Sequence, residues 1–219
     1  ELRLPGDCPI VLGVGFADRR KGIDIFVDAA IELLRGGRNV CFLWIGAVHA
    51  DLESELIRTI GDAGCEDRII LHGADFETDR YFIGADVYAL TSREDPFPSV
   101  VLEALEASVP TVLFDGASGC QELVSRGAGV VAEQQNAAGF AAAVDELLQN
   151  PQQRERAGEA GRTIVEREFA FHHYVYDLLE LAGFPQRRVS AIVPSYNYER
   201  FMGARLDSIV GQTYPVYEI

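Results

Sequence analysis

Ser92-Arg-Glu-Asp-Pro-Phe-Pro-Ser-Val-Val-Leu-Glu-Ala-Leu105 is the segment around which the rest of the chain is arranged. An apolar, strand-like run, Val87-Tyr-Ala-Leu90, delivers it, and an amphipathic helix leaves it. The turn between them carries Glu94 and Asp95, and Glu103 follows Asp95 at i+8. A strand, an acidic turn and a helix N-terminus together offer free backbone N–H donors to a negative group. Acids beside such donors suit hydroxyls rather than phosphates. A ligand that carries both, a sugar nucleotide, fits the combination. Two plainer readings compete: Asp95 before Pro96 also matches a helix start with Asp as N-cap, and Glu103 could be a surface glutamate. Their spacing puts Asp95 in the turn and Glu103 two turns down the helix, so both can border one cleft, a ribose and a diphosphate apart.

Outward from this stretch the chain repeats one pattern. Ile10-Val-Leu-Gly-Val14, Val40-Cys-Phe-Leu-Trp-Ile45, Ile69-Ile-Leu71, Val87–Leu90, Thr111-Val-Leu-Phe114 and Val130-Val-Ala132 are apolar throughout rather than alternating. Such strands are buried on both faces. Helix-length segments lie between them. In Lys21–Gly36, Ile23, Phe26, Val27, Ala30 and Leu34 share a face and Asp24, Asp28 and Glu32 recur opposite. Leu52, Leu56, Ile57 and Ile60 mark a second helix, and Pro96 to Ala107 reads as another. The expected fold is α/β, a doubly wound, Rossmann-like parallel sheet. Ligands of such sheets bind beyond the carboxyl ends of the strands. From Asn136 the chain turns helical: Phe140, Ala143, Val144, Leu147 and Leu148 form one face, a polar helix runs from Pro151 to Arg167, and another from Phe169 to Leu181.

At 219 residues the chain has room for one α/β domain plus a remnant, and 48% apolar residues can build a core. Apolar runs stay short of the ~18 residues a membrane span needs, and no secretory leader is visible. It opens on Glu1 and stops in a strand-like run, Tyr217-Glu-Ile219, so we expect a piece of a longer protein. A net charge of −15 argues against a nucleic-acid partner. Cys8, Cys41, Cys65 and Cys120 show no Cys-x-x-Cys spacing, and Cys41 lies in an apolar run. The expectation is buried free thiols, no metal site and a reducing cytoplasm.

Gly13-Val-Gly-Phe-Ala-Asp-Arg-Arg-Lys-Gly22 joins the first strand to its helix. Gly13-x-Gly15 begins a dinucleotide signature, but Asp18 stands where its third glycine belongs. Arg19, Arg20 and Lys21 are more informative. Three cations at a helix N-terminus oppose the helix dipole and become favourable if a diphosphate sits among them; a solvated basic patch is the plainer account. Gly116-Ala-Ser-Gly-Cys-Gln-Glu122 follows the fifth strand, where small residues such as Ser118 and Gly119 permit close backbone approach. After the third strand, Gly73 could let a planar base lie against the backbone. His172 and His173 have no acid at metal-ligand spacing.

Taken together, Arg19-Arg-Lys-Gly-Ile-Asp24, Ser92-Arg-Glu-Asp-Pro-Phe97 with Val101-Leu-Glu-Ala104, Val109-Pro-Thr-Val112 and Gly119-Cys-Gln-Glu-Leu-Val124 resemble the C-terminal half of family 4 retaining glycosyltransferases, from about Pro9 to Leu181. That family has the GT-B fold, two Rossmann-like domains with the active site between them. The resemblance implies that Lys21 and Arg20, with Arg19, face the donor diphosphate, and that Asp95 and Glu103 are the acid-x7-Glu pair. Glu103 would hold the ribose hydroxyls and Asp95 the donor sugar, with backbone N–H groups of Phe97, Ser99 and Val100 receiving phosphate. No metal or cofactor is implied; the donor would be a UDP-sugar or GDP-sugar. Three positions depart from the pattern: Asp95 stands for a Glu, with Glu94 adjacent as a substitute; Pro98 stands for a Gly; Phe16 stands for an Arg. The rival readings are a non-catalytic nucleotide-sugar-binding module and a sugar-nucleotide epimerase, for which no acid/base set is found.

Gly183-Phe-Pro-Gln-Arg-Arg188 reads as a linker. Val189–Val193 then begins a strand, Pro194-Ser-Tyr-Asn197 a turn, and a helix runs from about Arg200 to Val210. This tail resembles the opening of family 2, GT-A glycosyltransferases. The expected division is 1–183 for the donor-binding domain and 184–219 for the linker and a truncated second domain. The implied partners are the donor, an N-terminal acceptor domain and a downstream GT-A domain. The implied setting is surface polysaccharide synthesis in the cytoplasm or at the inner face of the membrane. An orphan strand would pack on the main domain or on another copy.

Overall fold

The computed structural model describes residues 6, 8–184, 190–193 and 199–212. It divides into two compact units, residues 1–170 and 171–219. The first holds a six-stranded, all-parallel sheet of order β3-β2-β1-β4-β5-β6. Its strands are β1 Ile10–Val14, β2 Cys41–Ile45, β3 Ile69–Leu71, β4 Val87–Leu90, β5 Thr111–Phe114 and β6 Gly129–Ala132. This is the doubly wound α/β architecture expected of unbroken apolar strands: β2, β4 and β5 are buried at every position.

The helices of this unit are α1 Ile23–Arg35, α2 Ala50–Asp62, α3 Asp79–Ile83, α4 Ser99–Glu106, α5 Gln121–Leu123, α6 Ala137–Gln149 and α7 Pro151–Glu168. Two apolar clusters form, one on each face of the sheet. One packs α1, α2 and α6 on Val11, Phe42, Trp44, Val112 and Phe114. There Phe26 meets Phe42 and Trp44 edge-on, both at 5.1 Å between ring centroids. The other packs Phe82, Leu105 and Ile164 on Leu12, Tyr88 and Leu113. Alternate residues of each strand therefore face opposite clusters, the period-2 rule applied to a sheet covered twice. Of the apolar residues that mark α2, Leu52, Leu56 and Ile60 are buried and Ile57 is 59% exposed.

The strand order reverses between β1 and β4. The turns leaving these two neighbours head to opposite faces of the sheet and leave a notch between them, the usual ligand position in such folds. Gly13 serves packing there: a side chain at this position would lie 2.5 Å from the Trp44 ring.

Three expectations change. Helix α4 starts at Ser99, not Pro96, and Asp95 does not cap it; the cap position is Pro98, in extended conformation. Pro96 and Pro98 each disfavour the helical region for the residue before them, so the helix begins only after Pro98. Second, Cys8 and Cys41 are disulfide-bonded, leaving Cys65 and Cys120 as buried free thiols. Parallel pairing of Ile10 with Cys41 brings Cys8 beside the start of β2, with Cα atoms 6.1 Å apart. The case for a reducing compartment loses that pair. Third, Val189–Val193 forms no strand among the described residues: Ser190 makes a single bridge and 191–193 are irregular. The second compact unit begins at Phe171 and holds α8 Phe171–Leu181 and α9 Glu199–Val210. Val189, Pro194–Asn197 and Tyr217–Ile219 lie outside the described residues.

Candidate functional site

The site is built where the turn after β1 meets the turn after β4. Asp18 folds the first turn: its Oδ1 accepts from the Lys21 N–H at 2.7 Å, and its carbonyl accepts from the Gly22 N–H at 3.1 Å. Gly22 then takes φ 71 as the N-cap of α1. A side chain on Gly22 would sit 2.0 Å from the Thr91 carbonyl oxygen. Only glycine allows both that dihedral and that approach. The cationic triplet Arg19-Arg20-Lys21 is thereby pressed against Thr91–Asp95.

Lys21 and Asp95 form the centre. Lys21 Nζ donates to Asp95 Oδ2 at 2.5 Å, and the two side chains are only 15% and 12% exposed. Ser92 Oγ lies 3.4 Å from the same oxygen, and the Asp95 N–H donates to the Ala117 carbonyl at 2.9 Å. Arg20 reaches Asp95 Oδ2 at 3.9 Å and donates to the Glu94 carbonyl at 3.2 Å, with its side chain 54% exposed. Arg19 turns away, to Glu55 at 3.1 Å and Asp24 at 3.6 Å. The triplet therefore does not converge: Lys21 and Arg20 border Asp95, and Arg19 leans toward α1 and α2. Glu94 presents its backbone oxygen to Arg20.

Beyond Pro98 the first turn of α4 presents the Ser99 and Val100 amides, and Ser99 Oγ is 3.4 Å from Glu103 Oε1. Phe97 is half exposed and stacks on Phe169 at 5.8 Å between centroids. Glu103 lines a recess of about 240 Å³ with Asp79, Phe82, Ile83 and Glu106, and both its charge and that of Asp95 act on the buried Tyr88 hydroxyl. Burial raises its pKa above 4.5, the Ser99 hydroxyl works against that, and the charges of Asp79 and Glu106 add to it.

The turn after β5 closes the third side. Gly119 donates to the Pro96 carbonyl at 2.8 Å, and a side chain there would come within 2.8 Å of that oxygen. Its missing side chain thus admits a neighbouring loop. Ser118 is buried and accepts from the Cys120 N–H at 3.2 Å. The Cys120 thiol is pushed up to about 11, by burial first and by the Asp95 charge last, against the Ser118 hydrogen bond, so it stays a thiol. Gly73 follows β3 with φ 86 and open space above it, and lines a cavity of about 540 Å³ beside α2 with Ala47, Val48, Ile57 and Leu71. Arg93, Asp24 and Thr91, absent from the sequence-level candidates, are woven through the centre. Arg93 forks onto Asp24 at 2.9 and 2.8 Å and also donates to the Arg19 carbonyl.

Residues 1–164 match the family model described as Glycosyl transferases group 1. The chain belongs to this family. Among its relatives, α-D-kanosaminyltransferase of Streptomyces kanamyceticus is 33% identical over 157 residues, covering 70% of this chain and 40% of the relative. The lipopolysaccharide core biosynthesis glycosyltransferase LpsE of Rhizobium meliloti is 25% identical over 171 residues, covering 78% and 48%. The group 1 fold is shared with the crystal structure of Anabaena Alr3699/HepE in complex with UDP, at TM-score 0.74 and 21% identity over 81% of this chain and 49% of that one. This group 1 chain thus spans about half the length, or less, of the curated relatives it matches. No helix among its described residues is long and apolar enough to cross a membrane.

Proposed function

We propose that this chain is the donor-binding half of a retaining glycosyltransferase that takes a UDP-sugar or GDP-sugar and transfers the sugar to an acceptor hydroxyl. The observation that carries the reading is the Lys21–Asp95 pair at the reversal of strand order, beside the free amides of α4. On an acidic chain, cations collected at one strand end mark the place for an anion. A lysine ammonium has three N–H donors, and Asp95 takes one. The other two, the exposed Arg20 and the amides of Phe97, Ser99 and Val100 are set to receive the diphosphate. As the bond between the anomeric carbon and the diphosphate oxygen breaks, the electron pair leaves on that oxygen, and these fixed positive groups stabilise the growing charge. Asp95, held by Lys21, presents its carboxylate to the donor sugar. Glu103 accepts from the ribose hydroxyls, and the base lies over Gly73. UDP in the Anabaena relative supports the ligand class, and the lipopolysaccharide role of the Rhizobium relative supports surface polysaccharide as the product.

The acceptor side and any metal-dependent GT-A domain after residue 184 would belong to the rest of the parent protein, which we place in the cytoplasm or at the inner face of its membrane. Isothermal titration of the 219-residue chain with UDP and GDP tests the donor reading. Saturable binding of at least one nucleotide is expected; a folded chain that binds neither would sink it.

A further inference from the structure

Every backbone carbonyl of the cationic triplet accepts a hydrogen bond from the segment after β4. Arg93 Nη1 donates to the Arg19 oxygen, the Arg93 N–H to the Arg20 oxygen at 2.8 Å, and Thr91 Oγ1 to the Lys21 oxygen at 3.0 Å. The remaining reach of the Arg93 fork is spent on Asp24, in the first turn of α1. Arg93 thus holds both the turn and the helix that follows it. Three consecutive cations repel each other and the positive end of the α1 dipole, so this turn needs an external restraint to keep one shape. Arg93 is suited to that task because its planar fork serves a carboxylate and a carbonyl at once, which an ammonium cannot do with the same geometry. Three of the five guanidinium N–H donors are engaged in this way.

We infer that Arg93 is a positioning residue: it fixes the Arg19–Lys21 turn so that Arg20 and Lys21 meet a nucleoside diphosphate in one preset geometry. This rests on the donor reading above, and two independent measurements separate the two. The first is amide hydrogen exchange of peptides spanning residues 18–22, which needs no ligand. The second is titration with UDP and GDP well below the melting temperature. The variants are Arg93→Ala, Arg93→Lys and, as a control, Arg126→Ala, which removes a comparable exposed fork onto Glu168 far along the chain.

Arg93→Ala is expected to speed exchange across 18–22 and to weaken nucleotide binding about tenfold. Arg93→Lys, which keeps the charge but not the fork, should fall between, and Arg126→Ala should match the wild type in both. A merely stabilising role would lower the melting temperature of Arg93→Ala and leave affinity at the wild-type value; that result overturns the inference. So does unchanged exchange over 18–22, whatever the nucleotides do. If the wild-type chain binds neither nucleotide, the donor reading falls, and the exchange arm still decides whether Arg93 fixes the turn.

Discussion

At the scale of the residue, the site is a contest for Lys21. Its ammonium is held by Asp95 in a mostly buried pair, so a ligand gains only the donors left over. Lys21→Ala should weaken UDP or GDP binding by about 1–3 kcal/mol, the value of a charge-assisted contact; titration calorimetry reads it, and an unchanged constant would remove Lys21 from the site. Glu103 makes a pH prediction. Its folded-state pKa is raised, chiefly by burial, above the ordinary 4.5. For a raised group the stabilising contribution is complete below the unfolded value and is lost as pH rises through the folded one. Ribose binding needs the ionised acceptor, so nucleotide affinity should fall on acidification while still above pH 4.5. Glu103→Gln should bind more weakly at neutral pH and lose that acid limb. A wild-type profile that is flat above pH 4.5 would show that Glu103 does not touch the ligand.

At the scale of the element, helix boundaries follow from proline and glycine chemistry. Pro96 and Pro98 delay the start of α4 to Ser99, and Asp95, freed from capping, reaches Lys21. Helix α7 shows the converse use of small residues. Read along the chain it is merely polar, yet Gly158 lets it lie against the turn after α4: a side chain there would stand 2.0 Å from the Ser108 oxygen. In an exposed helix Gly→Ala would gain about 1 kcal/mol of propensity. Here the obstacle is backbone that cannot rotate away, and overpacking of that kind costs about 1–3 kcal/mol or more. Gly158→Ala should therefore be a net destabilisation, read as a lower denaturant midpoint with an unchanged slope. A stabilised variant would mean that α7 does not press on Ser108.

At the scale of the molecule, the sheet is a set of parallel neighbours drawn from distant sequence, tied at one end by Cys8–Cys41. That bond joins residues 33 positions apart in sequence. The chain-entropy account gives about 3–4 kcal/mol for such a loop. Cys8→Ser should lower unfolding free energy by about that amount under non-reducing conditions and bring no change under dithiothreitol. Equal stability of the two proteins without reductant would show that the thiols are not joined. The disulfide and the two buried thiols also make the redox compartment a question for measurement, since the four cysteines do not speak with one voice.

The six strands of the sheet, the parallel α/β class and the family were all legible in the sequence. Unbroken apolar runs and helical spacing are local signals, and the motifs around Lys21, Ser92–Leu105 and Gly119 are contiguous. It also placed Asp95, Lys21 and Glu103 among the candidates by residue type. Which of these residues meet is a matter of the folded arrangement. Lys21 and Asp95 are 74 residues apart, and the reversal of strand order between β1 and β4 joins them. The same adjacency lets Arg93 tie down the turn and sends Arg19 to Glu55. It also fills the space at Gly119 with the neighbouring loop, while parallel pairing of β1 with β2 sets Cys8 beside Cys41. These contacts lie between chain segments whose separation carries no local periodicity. Glycines that admit a backbone and carbonyls that take a guanidinium are indistinguishable, in sequence, from any others.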